Sequence, residues 1–198
     1  MGSEMCIRDR QLQFIMEIDR MKSVYRRTLL IDHSRRETDA EHSWHFALMA
    51  LLLAECAGPD VKIDRVIRMA LVHDLVEIYA GDTFAYDGDG KKTQHAREQQ
   101  AADKLFSHLP ADQGPQLRAL WEEFDAMETP DARFAAAIDR LQPFLNNCLT
   151  EGHTWKEGSV KSAQVRERLS VAQDAAPALW PLIDSLIRHC VEKGYLAE

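Results

Sequence analysis

One stretch constrains this chain more than any other: Met69-Ala70-Leu71-Val72-His73-Asp74-Leu75-Val76-Glu77-Ile78-Tyr79-Ala80-Gly81-Asp82. Its apolar residues leave little room for a solvent face, so the spacing predicts a helix buried on nearly every side. Four ionisable groups sit in or just beyond it. Buried charge is costly unless it is paired or bound to a metal. His73 and Asp74 are neighbours, so they project about 100° apart and both reach one point beside the helix. Glu77 follows one turn on, at i+4 and i+3. Gly81 suits the position just past a helix end, where the macrodipole disfavours the nearby carboxylates. Asp82 adds a further acid. A bound divalent cation offsets that accumulation, and imidazole with carboxylate suits Zn, Mn, Fe, Co or Ni.

Taken alone, a His-Asp pair is weak evidence, so the remaining ligands must come from elsewhere. Thr38-Asp39-Ala40-Glu41 is a capping box that starts a core helix ending before Gly58-Pro59. His42 lies in its first turn, where a side chain can reach a cleft. His45, one turn further in, is the alternative, with packing beside Trp44 as its simpler role. Asp139 is a lone acid in the apolar run Ala135-Ala136-Ala137-Ile138. Pro143, four residues on, leaves the Asp139 carbonyl without its helical partner and favours a kink that aims the side chain inward. Pairing with Arg140 is the competing role for Asp139.

The rest of the chain is read as helices over residues 11–25, 93–109, 113–127, 131–150, 160–173 and 177–193, with Tyr86–Gly90 as a polar loop. No run alternates with period two long enough to indicate a sheet, and no linker or repeat divides the chain. Its 198 residues suit one domain with a sizeable core. The expected fold is therefore all-α, a single compact domain. Residues 1–10 do not join the helical pattern and are expected to be a non-native leader rather than part of the fold.

Composition narrows the partners. A net charge of −8 argues against a nucleic-acid polymer or a membrane surface, though not against a small anion held by a local arginine or a metal. The longest strongly apolar run, Phe46 to Ala54, is too short to span a bilayer. Cys6, Cys56, Cys148 and Cys190 are scattered without a disulfide framework, so the expected compartment is the reducing cytosol.

Glu41-His42-Ser43, His73-Asp74-Leu75-Val76-Glu77, Gly81-Asp82-Thr83 and the Asp139 segment occur in that order. Together they resemble the motifs of the HD-domain metal-dependent phosphohydrolases, closest to the compact group that includes the 5′-deoxynucleotidases. The resemblance covers about Phe14 to Thr150. It implies an HD-type helical bundle with one divalent metal (Mn, Co, Fe, Ni, Zn or Mg) held by His42, His73, Asp74 and Asp139. It further implies acid–base or water-orienting roles for Glu77 and Asp82, a phosphate-binding role for Arg27, and a homodimer. One position departs from the pattern. In the bacterial deoxynucleotidases a tryptophan follows that arginine, and here the residue is Thr28. Arg35 and Arg36 are alternative phosphate ligands, with loop or ion-pair roles preferred. The chemistry expected of such a site is hydrolysis of a small phosphorylated substrate, most simply a nucleoside 5′-monophosphate.

Overall fold

The computed structural model describes residues 7–198. The helices are α1 (Ile7–Ile18), α2 (Asp39–Leu52), α3 (Ile63–Val72), α4 (Glu77–Ala80), α5 (Gly88–Phe106) and α6 (Gly114–Ala126). They continue with α7 (Pro130–Leu149), α8 (His153–Glu157), α9 (Ser162–Leu169), α10 (Val171–Ala175) and α11 (Trp180–Glu192). The all-α expectation holds: helices form the body, and a single core built around Phe46, Met69, Phe134, Ile138 and Ile183 runs through it. Helix α7 lies at its centre and packs against α2, α3, α6 and α10.

Local chemistry places α2 as expected. The Thr38 hydroxyl accepts from the Glu41 amide, and the Thr38 amide donates to the Glu41 carboxylate at 2.9 Å. This reciprocal cap fixes the start of α2 and so the height of His42 in its first turn. Helix α7 runs unbroken through Pro143, so Asp139 and Gln142 stand one turn apart on it.

Five expectations need correction. The first helix ends at Ile18 and gives way to a 3₁₀ turn over Asp19–Ser23. Residues 25–38 then form an antiparallel hairpin, β1 (Tyr25–Leu29) with β2 (Arg36–Thr38), where no strand was expected. Strands of five and three residues are too short to leave a readable alternation. Of the expected leader, residues 1–6 lie outside the described residues, whereas Ile7–Arg10 belong to α1, and Arg10 donates to the Leu109 carbonyl at 3.4 Å.

The opening helix is not continuous either. After Val72 the chain tightens, with the Leu75 amide bonded to the Val72 carbonyl and the Glu77 amide to Asp74 at 2.9 Å. These i→i−3 bonds stack residues three apart, which aligns Asp74 with Glu77 more closely than an α-helix would. Gly81 ends α4 at φ 75, as its expected position requires. Finally, Asp87 caps α5 by accepting from the Asp89 and Gly90 amides. The helix therefore starts at Gly88, inside the expected loop, and brings Lys91 into its first turn.

Candidate metal centre and active site

The metal-like cluster is assembled from three helical segments. His42 comes from α2, His73 and Asp74 from the tightened turn after α3, and Asp139 from α7. His42 Nε2, His73 Nε2 and Asp139 Oδ1 all lie within 4.8 Å of one another. His42 Nε2 is 2.9 Å from Asp139 Oδ1 and 3.3 Å from His73 Nε2. Asp74 Oδ2 approaches the imidazoles at 3.0 Å and 3.8 Å. Ligand atoms about 2.1 Å from a shared centre stand roughly 3–4 Å apart, which these separations match.

The imidazole tautomers sharpen the fit. His42 Nδ1 lies 2.8 Å from Gln142 Oε1, and His73 Nδ1 lies 2.9 Å from the Ala70 carbonyl. Both partners are acceptors, so both Nδ1 atoms carry hydrogen and both Nε2 atoms are left to face the cluster. That is the arrangement by which second-layer partners orient metal-ligating histidines. Two such nitrogens with two carboxylate oxygens repel one another unless a cation sits among them. In the protein alone a proton serves. Burial disfavours charge on His73, but the Asp74 carboxylate and the Asp139 hydrogen bond outweigh it and push the imidazole up to about 10. Burial likewise raises Asp74, and the His73 and Arg26 charges more than compensate, holding it at about 2. The donor set therefore fits a divalent metal.

That protonation has a measurable consequence. With His73 raised to about 10, metal uptake at pH 7 must displace its proton. About one proton per bound ion is expected, and the apparent Kd is expected to rise about tenfold for each unit fall in pH below neutrality. Calorimetry in buffers of differing ionisation enthalpy counts the protons, and uptake without proton release would contradict the assignment.

The sequence reading did not identify the shell that holds these ligands. Gln142 is fully buried, binds His42 through Oε1, and donates through Nε2 to Glu37 at 2.7 Å. His45, the alternative ligand, meets Gln142 Nε2 at 3.2 Å instead of joining the cluster. Gln142→Ala is expected to weaken metal affinity about 10- to 100-fold, with helicity unchanged by circular dichroism. The signal for Gln142 was its position three residues after Asp139, on the same helical face.

A second group lies beside the first. Asp39, Asp74 and Glu77 bring carboxylate oxygens within 4.8 Å of one another, and the Arg26 guanidinium serves them from β1. Arg26 Nη1 is 2.8 Å from Asp74 and 3.4 Å from Asp39. Its own burial opposes its charge, yet Asp74, Asp82, Asp39 and Glu77 together hold its pKa well above normal. Burial, then the Asp74 and Asp39 charges, push Glu77 well above the carboxylate range. Asp39 rises to about 6 through burial and Asp74. Glu77 is thus biased towards its protonated form. Burial also raises Asp82, with Arg26 opposing it first and Arg27 further down.

A cavity of about 210 Å³ opens on this cluster, lined by His73, Asp74, Asp139, Glu77, Asp82 and Arg27 among others. Buried Thr28 lines it too. The Arg27 guanidinium lies 4.6 Å above the Phe84 ring. Arg35 instead binds Glu41 at 2.8 Å, Arg36 lies 3.9 Å from Glu157, and neither lines the cavity.

Known proteins resemble this chain in sequence and fold. A human protein named 5′-deoxynucleotidase HDDC2 is 29% identical over 151 residues, which are 76% of this chain and 72% of that protein. Its bovine counterpart is 30% identical over 135 residues, 68% of this chain and 64% of that one. A solved structure from Magnetospirillum magnetotacticum MS-1, named a predicted metal-dependent phosphohydrolase, is 49% identical with a TM-score of 0.91, covering 97% of this chain and 99% of its own. The HD-domain model matches residues 18–180, and the chain belongs to the HD-domain family of metal-dependent phosphohydrolases.

Proposed function

We propose that this chain hydrolyses nucleoside 5′-monophosphates, deoxynucleotides among them, to nucleoside and phosphate, using one divalent metal held by His42, His73, Asp74 and Asp139. The observation that carries this reading is the convergence of the His42 and His73 imidazole nitrogens with Asp139, where His73 and Asp139 line a cavity that also presents Glu77, Asp82 and Arg27. The relatives named 5′-deoxynucleotidase point to the same substrate class. A metal in this cluster polarises the phosphoryl group and lowers the pKa of a water molecule.

The chain's own groups divide the remaining work. Arg27 grips the non-bridging oxygens. Asp82, beside Arg26 and Arg27, takes a proton from the attacking water as its oxygen bonds to phosphorus. Glu77 gives its proton to O5′ as the P–O5′ bond breaks. Two carboxyls pushed to different degrees in one site are a recurrent basis for such a split. Glu77 is buried beside two other carboxyls, Asp39 and Asp74, with its Oε2 unpaired, which disfavours a purely structural metal module.

A panel of ribo- and deoxyribonucleotides tests the reading. Phosphate release from 5′-monophosphates is expected, with Thr28 as the position to vary for sugar preference. Pyrophosphate or tripolyphosphate from nucleoside triphosphates, or ring-opening of cyclic nucleotides without monophosphate cleavage, would move the chain to another HD-type reaction.

The proposal includes a homodimer in the reducing cytosol, where the free Cys56, Cys148 and Cys190 would stay reduced. No helix among the described residues is long and apolar enough to cross a membrane. Trp44, Leu48 and Leu51 share one face of α2 at helical spacing and are exposed, Trp44 at 64%. An apolar face of this kind marks an association surface. Trp44→Glu is expected to convert a dimer to a monomer in sedimentation velocity, and a monomeric parent protein would refute the dimer.

A further inference from the structure

Lys91, Arg140 and Arg168 come together from the first turn of α5, from α7 and from α9. Arg140 donates to the Arg168 carbonyl at 3.0 Å and to Met127 Sδ at 3.0 Å. Among the described residues none of the three forms an ion pair. Elsewhere in this acidic chain Arg65, Arg118, Arg133, Arg166 and Arg188 each meet a carboxylate. Arg140 and Arg168 are half-buried, where an uncompensated charge is costly.

The three cations act on one another. Burial, then the Arg168 and Arg140 charges, push the Lys91 ammonium down, with Glu167 opposing them. Asp139, next to Arg140 in α7, acts on that guanidinium, whereas Arg26 and Arg27 are the cations acting on Asp82. Lys91, Arg140 and Arg168 line the metal-site cavity and also an adjoining one of about 380 Å³, in which Glu167 is the one acid. Tyr86 stands in both walls. The active-site space therefore has a metal-binding end and, separately, a basic end that opens onto a second cavity.

We propose that Lys91, Arg140 and Arg168 bind a second anionic group of the substrate, distinct from the phosphate cleaved beside His73 and Asp74. The site then prefers phosphomonoesters that carry a second phosphate. This inference rests on the phosphomonoesterase reading above. Such a phosphate supplies the missing counter-charge and accepts charge-assisted hydrogen bonds from guanidinium and ammonium groups. Its source is either a nucleoside bisphosphate or a sugar bisphosphate.

Calorimetry on the Mn²⁺-loaded Glu77→Gln variant separates these sources with two ligand pairs. One is adenosine 5′-monophosphate against adenosine 3′,5′-bisphosphate. The other is glucose 6-phosphate against glucose 1,6-bisphosphate. In at least one pair the bisphosphate is expected to bind at least about tenfold tighter. Arg168→Ala and Lys91→Ala, each added to that background, are expected to bring the ratio below about threefold. Ratios near one in both pairs would overturn the subsite, as would a ratio that survives both substitutions. Phosphate release by the unsubstituted enzyme is read separately. No release from any of the four compounds would overturn the phosphomonoesterase reading, while the binding ratios still decide the subsite.

Discussion

Asp139→Ala is expected to abolish metal binding and lower kcat/KM for phosphate release by about three orders of magnitude, as loss of a charge-stabilising centre does. Asp139 Oδ1 is the carboxylate oxygen that closes the cluster, 2.9 Å from His42 Nε2 and 3.5 Å from His73 Nε2. Without it, two imidazoles and Asp74 remain. Asp139→Asn keeps the shape and loses the charge, so it separates the ligand role from packing. Atomic absorption on the purified variants, with thermal melts to confirm folding, reads both effects. An Asp139→Ala protein that retained its metal and its turnover would remove Asp139 from the site.

Glu77→Gln is expected to lower kcat by about 10²- to 10⁴-fold with metal content unchanged. That contrast with Asp139 matters, because Glu77 is buried against Asp39 and Asp74 rather than within the imidazole cluster. Burial and those two charges favour its protonated form, and a glutamine keeps the shape without a proton to give. Substrates with a good leaving group, such as an aryl phosphate, need little protonation and are expected to recover much of the loss. Equal losses for alkyl and aryl phosphates would argue that Glu77 orients water instead of protonating the leaving oxygen.

The sequence made the clustered residues legible for a simple reason. His73, Asp74 and Asp139 are ionisable groups set in apolar helices, where few roles other than ligation tolerate them. His42 was legible because a capping box announces the turn it occupies. The groups that hold those ligands were harder to see. Arg26 acts from a five-residue strand, and Arg27 beside it looked equivalent in a run of polar residues. Asp39 looked like an ordinary first-turn acid, yet it is fully buried under Arg26. Gln142 is uncharged, so nothing in its composition marks it as the clamp on His42. The break after Val72 was hidden because tight i→i−3 turns and α-helix use the same apolar residues. The start of α5 was hidden because Gly88 and Gly90 read as loop, while the Asp87 cap overrides their weak helix propensity.

The basic cluster shows a different limit. Lys91, Arg140 and Arg168 are far apart in the chain, and each has the look of a solvated surface residue. Only the fold shows that they share a wall and that, among the described residues, none of them forms an ion pair.

The central claim is that a metal in the His42, His73, Asp74 and Asp139 cluster is what makes this chain a phosphohydrolase. Chelation followed by titration with a single metal, reading bound ion and phosphate release together, tests it most directly. The predicted result is no turnover in the metal-free protein and recovery that saturates at about one ion per chain. Full turnover without metal, or recovery in a His42→Ala, His73→Ala double variant, would contradict it.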